Sequence, residues 1–84
     1  MTEAEIYAGL TDIFHDIFDD DTIVLRSEMT ADDVPEWDSH NHLAIIVATE
    51  VRFGVKFQTA ELESLRNVGE LAQCVERKVN APTR

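Results

Sequence analysis

Ile6, Leu10, Ile13, Phe14, Ile17 and Phe18 recur at spacings of three and four, the period of one helix face. Thr2 followed three residues later by Glu5 is a capping box, so a first helix is predicted over about 3–18. The Asp19-Asp20-Asp21 run stops it, and Gly9 inside it costs roughly 1 kcal/mol relative to alanine. A second pattern opens after Asp38, a good N-cap residue, runs from Ser39 to Phe53, and meets Gly54 where a left-handed C-terminal cap belongs. Asn67 with Glu70 is another N-terminal signature, and Val68, Leu71, Ala72, Val75 and Val79 follow at helical spacing. The last helix is therefore predicted over 68–79. Between these helices, Val55 to Gln58 are extended and Thr59 to Leu62 have room only for a turn or a short helix.

The long connection over 19–37 carries apolar anchors at Ile23, Val24, Leu25, Met29 and Val34, with Pro35 forcing Val34 into an extended conformation. A loop of that length in a small domain is pinned to the core or functional. No stretch alternates apolar and polar residues over enough positions to make a strand. The fold class is all-α: a small, right-handed-type bundle of three main helices plus one short helix, with a long loop between the first two. Residues 1–80 form the domain, and 81–84, with Pro82, are expected to fray.

The second helix has two apolar stripes. At about 100° per residue, Ile45, Ile46, Thr49 and Phe53 gather on one side, and Leu43, Ala44, Val47 and Val51 on another. A domain of 84 residues has too small a core to bury both, so one stripe is expected to face a partner.

Charge is distributed unevenly. Residues 1–38 hold twelve acids and one base, Arg26, for a net −11, whereas residues 39–84 hold five acids and six bases. The acidic half repels nucleic acid phosphates and anionic membranes and attracts basic protein surfaces. Neither nucleic acid nor membrane is expected as a partner. The longest apolar runs, such as Leu43 to Ala48, fall far short of the ~20 residues of a membrane span, and the chain opens with no basic-then-apolar leader. A cytoplasmic monomer is expected. Cys74 is the only cysteine, which excludes an internal disulfide and a thiolate metal site.

Most constellations that carry chemistry are absent: there is no G-x-S-x-G elbow, phosphate-cradling glycine loop or H-E-x-x-H. His40 and His42 project about 160° apart on a helix and cannot chelate one metal. The acid-rich stretch from Asp19 to Thr30 lacks the glycine and closing glutamate of a calcium loop. Ser39 beside His40 or His42 makes no triad, because adjacent helical residues do not face each other. No catalytic and no metal-ligating residue is expected, and the chain is not read as an enzyme. What remains is Asp38-Ser39-His40 after Trp37. Taken alone, that run is a plain helix cap.

Glu36-Trp37-Asp38-Ser39-His40-Asn41-His42-Leu43, then Glu50-Val51-Arg52-Phe53-Gly54-Val55-Lys56-Phe57, then Asn67-Val68-Gly69-Glu70-Leu71, together resemble the acyl carrier proteins, the phosphopantetheine-binding helical domains. The resemblance covers nearly the whole chain. It is greatest to freestanding carriers, with Asp-Ser-His in place of Asp-Ser-Leu. It implies that Ser39 takes 4'-phosphopantetheine from coenzyme A through a phosphodiester. Asp38 would cap the helix and serve recognition by the phosphopantetheinyl transferase, with His40 adjoining the arm. Ile45, Ile46, Thr49 and Phe53 match core positions, and Leu43, Ala44, Val47 and Val51 match the docking face, with steering from loop acids including Asp33 and Glu36. Asn41, Ala44, Val51 and Arg52 stand where fatty-acid carriers are commonly acidic.

The implied function is to carry acyl intermediates as thioesters in a fatty acid, polyketide or other specialised pathway. The implied partners are the transferase, an acyl ligase or acyltransferase, and synthases or other thioester-using enzymes. A different class of function also fits: a non-enzymatic helical interaction module that leaves Ser39 unmodified and binds one partner through the apolar face of the second helix.

Overall fold

The computed structural model describes residues 2–34 and 36–80. Four helices form: α1 (Glu3–Phe18), α2 (Ser39–Phe53), α3 (Thr59–Ser64) and α4 (Val68–Val79). No strand occurs among the described residues, and no helix among them is long and apolar enough to cross a membrane. The predicted tail at 81–84 and the proline at 35 lie outside the described residues.

α1 is the central element and packs against both α2 and α4. Its capping box forms as its sequence dictates: the Glu5 N–H donates to the Thr2 hydroxyl at 3.2 Å and the Thr2 N–H to the Glu5 carboxylate at 2.8 Å. Asp19 ends the helix in the left-handed region at φ 51°. Ile6, Leu10, Ile13, Phe14 and Phe18 enter the core beside Ile45, Ile46, Val68, Leu71 and Val75. Gly9 has a packing reason: a Cβ there would stand 2.7 Å from the Phe53 ring, so the missing side chain is what lets α2 lie close on α1.

Asp38 caps α2 by accepting the Asn41 N–H at 2.8 Å, and Gly54 closes the helix at φ 67°. The two stripes separate as expected. Ile45, Ile46 and Thr49 are buried and Phe53 is half-buried, whereas Leu43, Val47 and Val51 are 58%, 51% and 79% exposed. The buried Thr49 hydroxyl donates to the Ile45 carbonyl at 2.7 Å, so its polar atom is satisfied within the helix.

The long loop is pinned at both ends of its course. His15 Nε2 bonds the Ile23 carbonyl at 2.8 Å, and Met29 and Val34 are buried. Val24 is not an anchor: it is 72% exposed while Ile23 and Leu25 on either side are half-buried. Val34 is extended, as expected before a proline. Ala31–Asp33 add a 3-10 turn closed by Thr30 and Asp33. The loop also completes the start of α4, whose first N–H groups have no partner within the helix. Val68 donates to the Met29 carbonyl at 2.9 Å and Gly69 to the Ser27 carbonyl at 2.8 Å.

The segment after α2 is fastened by the Phe57 N–H to the Glu50 carboxylate at 2.8 Å. Thr59–Ser64 is helical, so the short-helix option holds. α3 is joined to α4 by Lys78 and Glu61 at 2.9 Å.

Candidate functional site

Ser39 sits on the first turn of α2 and is exposed. Because Asp38 supplies the side-chain cap, the Ser39 hydroxyl is left without a hydrogen bond to the described residues. The approach to it is rigid. Asp38 donates its N–H to the Glu36 carbonyl at 3.0 Å, and the Asn41 side-chain amide donates to the same carbonyl at 2.7 Å. Trp37 is buried, with its ring edge-on to Phe14 at 5.2 Å and 85°.

His42 completes this corner. Its ring stacks on Trp37 at 5.9 Å and 23°, and its Nδ1 accepts the indole N–H at 3.1 Å. Nδ1 accepts only when unprotonated, so the ring is neutral with its hydrogen on Nε2. Burial also pushes its pKa below the ordinary histidine value, since desolvation disfavours the charged form.

A cleft of about 290 Å³ opens beside the serine. Trp37, Asp38, Ser39 and His42 line it from the α2 side, Ala31 from the loop, and Leu65, Arg66, Asn67 and Leu71 from the turn between α3 and α4 and the start of α4. Among the described residues, Arg66 is the one Arg or Lys in its lining. His40 does not line this cleft; it borders a shallow depression with Leu43, Ala44, Val47 and Ala48 on the other apolar stripe. Asp33 and Glu36 lie along a separate groove with Ile23, Val24 and Met29, so the two loop acids are grouped with each other and not with that stripe.

No family model matches the chain. Among curated proteins, the meromycolate extension acyl carrier protein of Mycolicibacterium smegmatis is 30% identical over 76 residues, covering 90% of this chain and 77% of the relative. An acyl carrier protein of Acidothermus cellulolyticus is 29% identical, over 83% of each chain. Among solved structures, the solution NMR structure of a holo acyl carrier protein from Geobacter metallireducens matches with a TM-score of 0.83 at 46% identity. That match covers 88% of this chain and 85% of the other. The chain belongs to the acyl carrier proteins.

An acyl carrier protein transports acyl groups and is not an enzyme, and its family implies a phosphopantetheine group and synthase and transferase partners. The residues fit such a group. A spare serine hydroxyl stands at a helix start whose first N–H groups favour an anion, beside a cleft with an apolar floor and one cation. His42, Leu65, Arg66, Asn67 and Leu71, which the sequence pattern does not single out as site residues, line the cleft with Ser39. For His42 the available signal was a tryptophan five residues earlier, across the helix start; for the others only the fold brings them near Ser39.

Proposed function

We propose that Ser39 is the attachment point of 4'-phosphopantetheine in this acyl carrier protein. In the transfer, the serine oxygen bonds to the phosphate carrying pantetheine in coenzyme A, the pyrophosphate bridge breaks, 3',5'-ADP leaves, and the hydroxyl proton passes to the transferase. The observation that supports this reading most directly is the division of labour at the start of α2. Asp38 makes the cap at 2.8 Å, and the neighbouring hydroxyl is exposed and unengaged. A serine needed only as a cap would itself accept the backbone N–H. Asp38, held at the helix start, is the residue offered to the transferase, and His40 adjoins the arm on the docking side.

The thiol of the arm would be loaded by an acyl ligase or acyltransferase and presented to synthases or other thioester-using enzymes of a fatty acid, polyketide or other specialised pathway. The carrier works as a monomer spanning residues 1–80, in the cytoplasm where its coenzyme A donor is made. Leu43, Ala44, Val47 and Val51 form the docking face, with Asp33 and Glu36 steering approach. Tethering supplies effective concentration at each partner in place of free diffusion.

Co-expression with a broad-specificity phosphopantetheinyl transferase, followed by intact-mass measurement, tests the assignment. The parent is expected to gain one phosphopantetheine, and Ser39→Ala to gain none while keeping its helical circular dichroism. An unmodified parent, or an adduct on the alanine variant, would overturn it.

A further inference from the structure

The cleft beside Ser39 contains a cation with no evident structural duty. Arg26, Arg52 and Lys78 each pair with a carboxylate, whereas the Arg66 guanidinium makes no ion pair among the described residues. Its neighbour Glu70 is already engaged, accepting the Arg66 backbone N–H at 2.8 Å, and the Asp38 carboxylate in the same cleft is held by Asn41. Arg66 thus brings an unspent planar donor to the lining that holds the Ser39 hydroxyl, from a different element of the fold.

Other donors border the same place. The Ser39 N–H is the first of α2 and has no acceptor within the helix, and the Trp37–His42 hydrogen bond leaves His42 with its hydrogen on Nε2. Below them, Trp37, Leu65 and Leu71 supply apolar surface. An anion on Ser39 would meet donors at its base, a guanidinium across the cleft and an apolar floor beyond.

We propose that Arg66 is a positioning residue for the arm: its guanidinium takes the phosphodiester formed on Ser39 and lays the first segment of the arm along the Trp37–Leu65–Leu71 floor. Guanidinium matches phosphate in a bidentate fork that an ammonium does not reproduce. The contact is exposed, so salt weakens it. The arm is thereby biased toward the α3–α4 side and away from the Leu43–Val47–Val51 face, which stays clear for a partner. This inference rests on modification at Ser39.

Trp37 is the only tryptophan of the chain and lies in the cleft, so its emission reports the arm. Apo and holo forms of the parent, Arg66→Ala, Arg66→Lys and the remote control Arg77→Ala are compared by tryptophan fluorescence and phosphorus NMR. Modification of the parent is expected to shift the Trp37 emission and to move the phosphorus resonance away from that of a phosphopantetheinyl-serine peptide. Arg66→Ala should lose both shifts, Arg66→Lys should keep part of them, and Arg77→Ala should keep them whole. The Arg66 Nε–H proton resonance of the parent should also move on modification and return at high salt, a readout that needs no variant. An Arg66→Ala holo protein matching the parent in emission and phosphorus shift, or an Arg66 Nε–H resonance indifferent to modification, would overturn the inference. Absence of any mass gain on the parent would instead overturn the assignment of Ser39.

Discussion

At the scale of single residues, the corner around Ser39 depends on a neutral histidine. The Trp37 indole N–H is part-buried and finds its acceptor in His42 Nδ1; protonating that nitrogen removes the acceptor and strands the donor, which is costly where water is partly excluded. Desolvation holds the folded pKa of His42 below the ordinary value of 6.5. The unfolded chain therefore binds the proton more readily. The contribution is present in full above about pH 6.5 and is lost as pH falls from there through the lower folded value. Glu5 and Asp20 are held below their ordinary values of 4.5 and 3.8 by hydrogen bonds from Thr2 and Thr22, so their contributions persist above those values and fade only in stronger acid. Between pH 7.5 and 5.5 the parent is expected to lose more thermal stability than His42→Asn, whose amide oxygen stands at the place of Nδ1 and can accept from Trp37. Equal losses in melts followed by circular dichroism would contradict the account.

At the scale of elements, two glycines set how closely helices and loop approach. A Cβ on Gly69 would stand 2.8 Å from the Ser27 carbonyl oxygen, the same oxygen that accepts the Gly69 N–H. The nearest of these atoms is backbone and cannot swing aside as the end of a side chain can. Gly69→Ala should therefore detach the loop from the start of α4 and cost about 1–3 kcal/mol, the range for overpacking, at roughly 4–8 °C of Tm per kcal/mol for a domain of this size. Gly9→Ala meets only the outer end of the half-buried Phe53 ring, and alanine recovers about 1 kcal/mol of helix propensity, so the smaller loss is expected there in thermal melts. Such contacts mark where the sequence stops being legible. The bounds of α1, α2 and α4 could be read because Thr2 with Glu5, Asp38, Gly54 and Asn67 with Glu70 act within one turn of the chain. Asp38 as the cap of α2 was legible for the same reason, whereas Ser39 as a candidate site came from the resemblance of its motif to the acyl carrier proteins and not from the local cap signal. The need for glycine at 9 and 69, the exposure of Val24 and the placing of Arg66 beside Ser39 depend on partners distant in sequence. His42 fell between the two cases, since its partner is near in sequence but only a folded corner stacks the rings.

At the scale of the whole molecule, charge and apolar surface are kept apart. The acids concentrate in α1 and the loop, while α2 presents Leu43, Val47 and Val51 with few charges between them. Such a surface separates the two parts of recognition. Distributed acids govern how fast a basic partner arrives and how salt affects it, whereas central apolar contacts govern how long the complex lasts. Val47 is 51% exposed in isolation, so Val47→Asp should leave the fold intact by circular dichroism while placing a carboxylate where a partner would cover it. Leaving such a group unpaired in an interface is costly. Asp33→Asn keeps an oxygen for the Thr30 N–H, which Asp33 now accepts at 3.0 Å, and so removes charge without removing the cap. At moderate salt, Val47→Asp is expected to weaken binding to a cognate synthase or transferase by at least about tenfold, roughly 1.4 kcal/mol, chiefly through faster dissociation. Asp33→Asn should lower the association rate by a few-fold at most, with the difference vanishing at high salt as screening removes it. Surface plasmon resonance at two salt concentrations separates the rates. If Asp33→Asn proved the more damaging and acted on dissociation, the loop groove holding Asp33 and Glu36, and not the exposed stripe of α2, would be the docking surface.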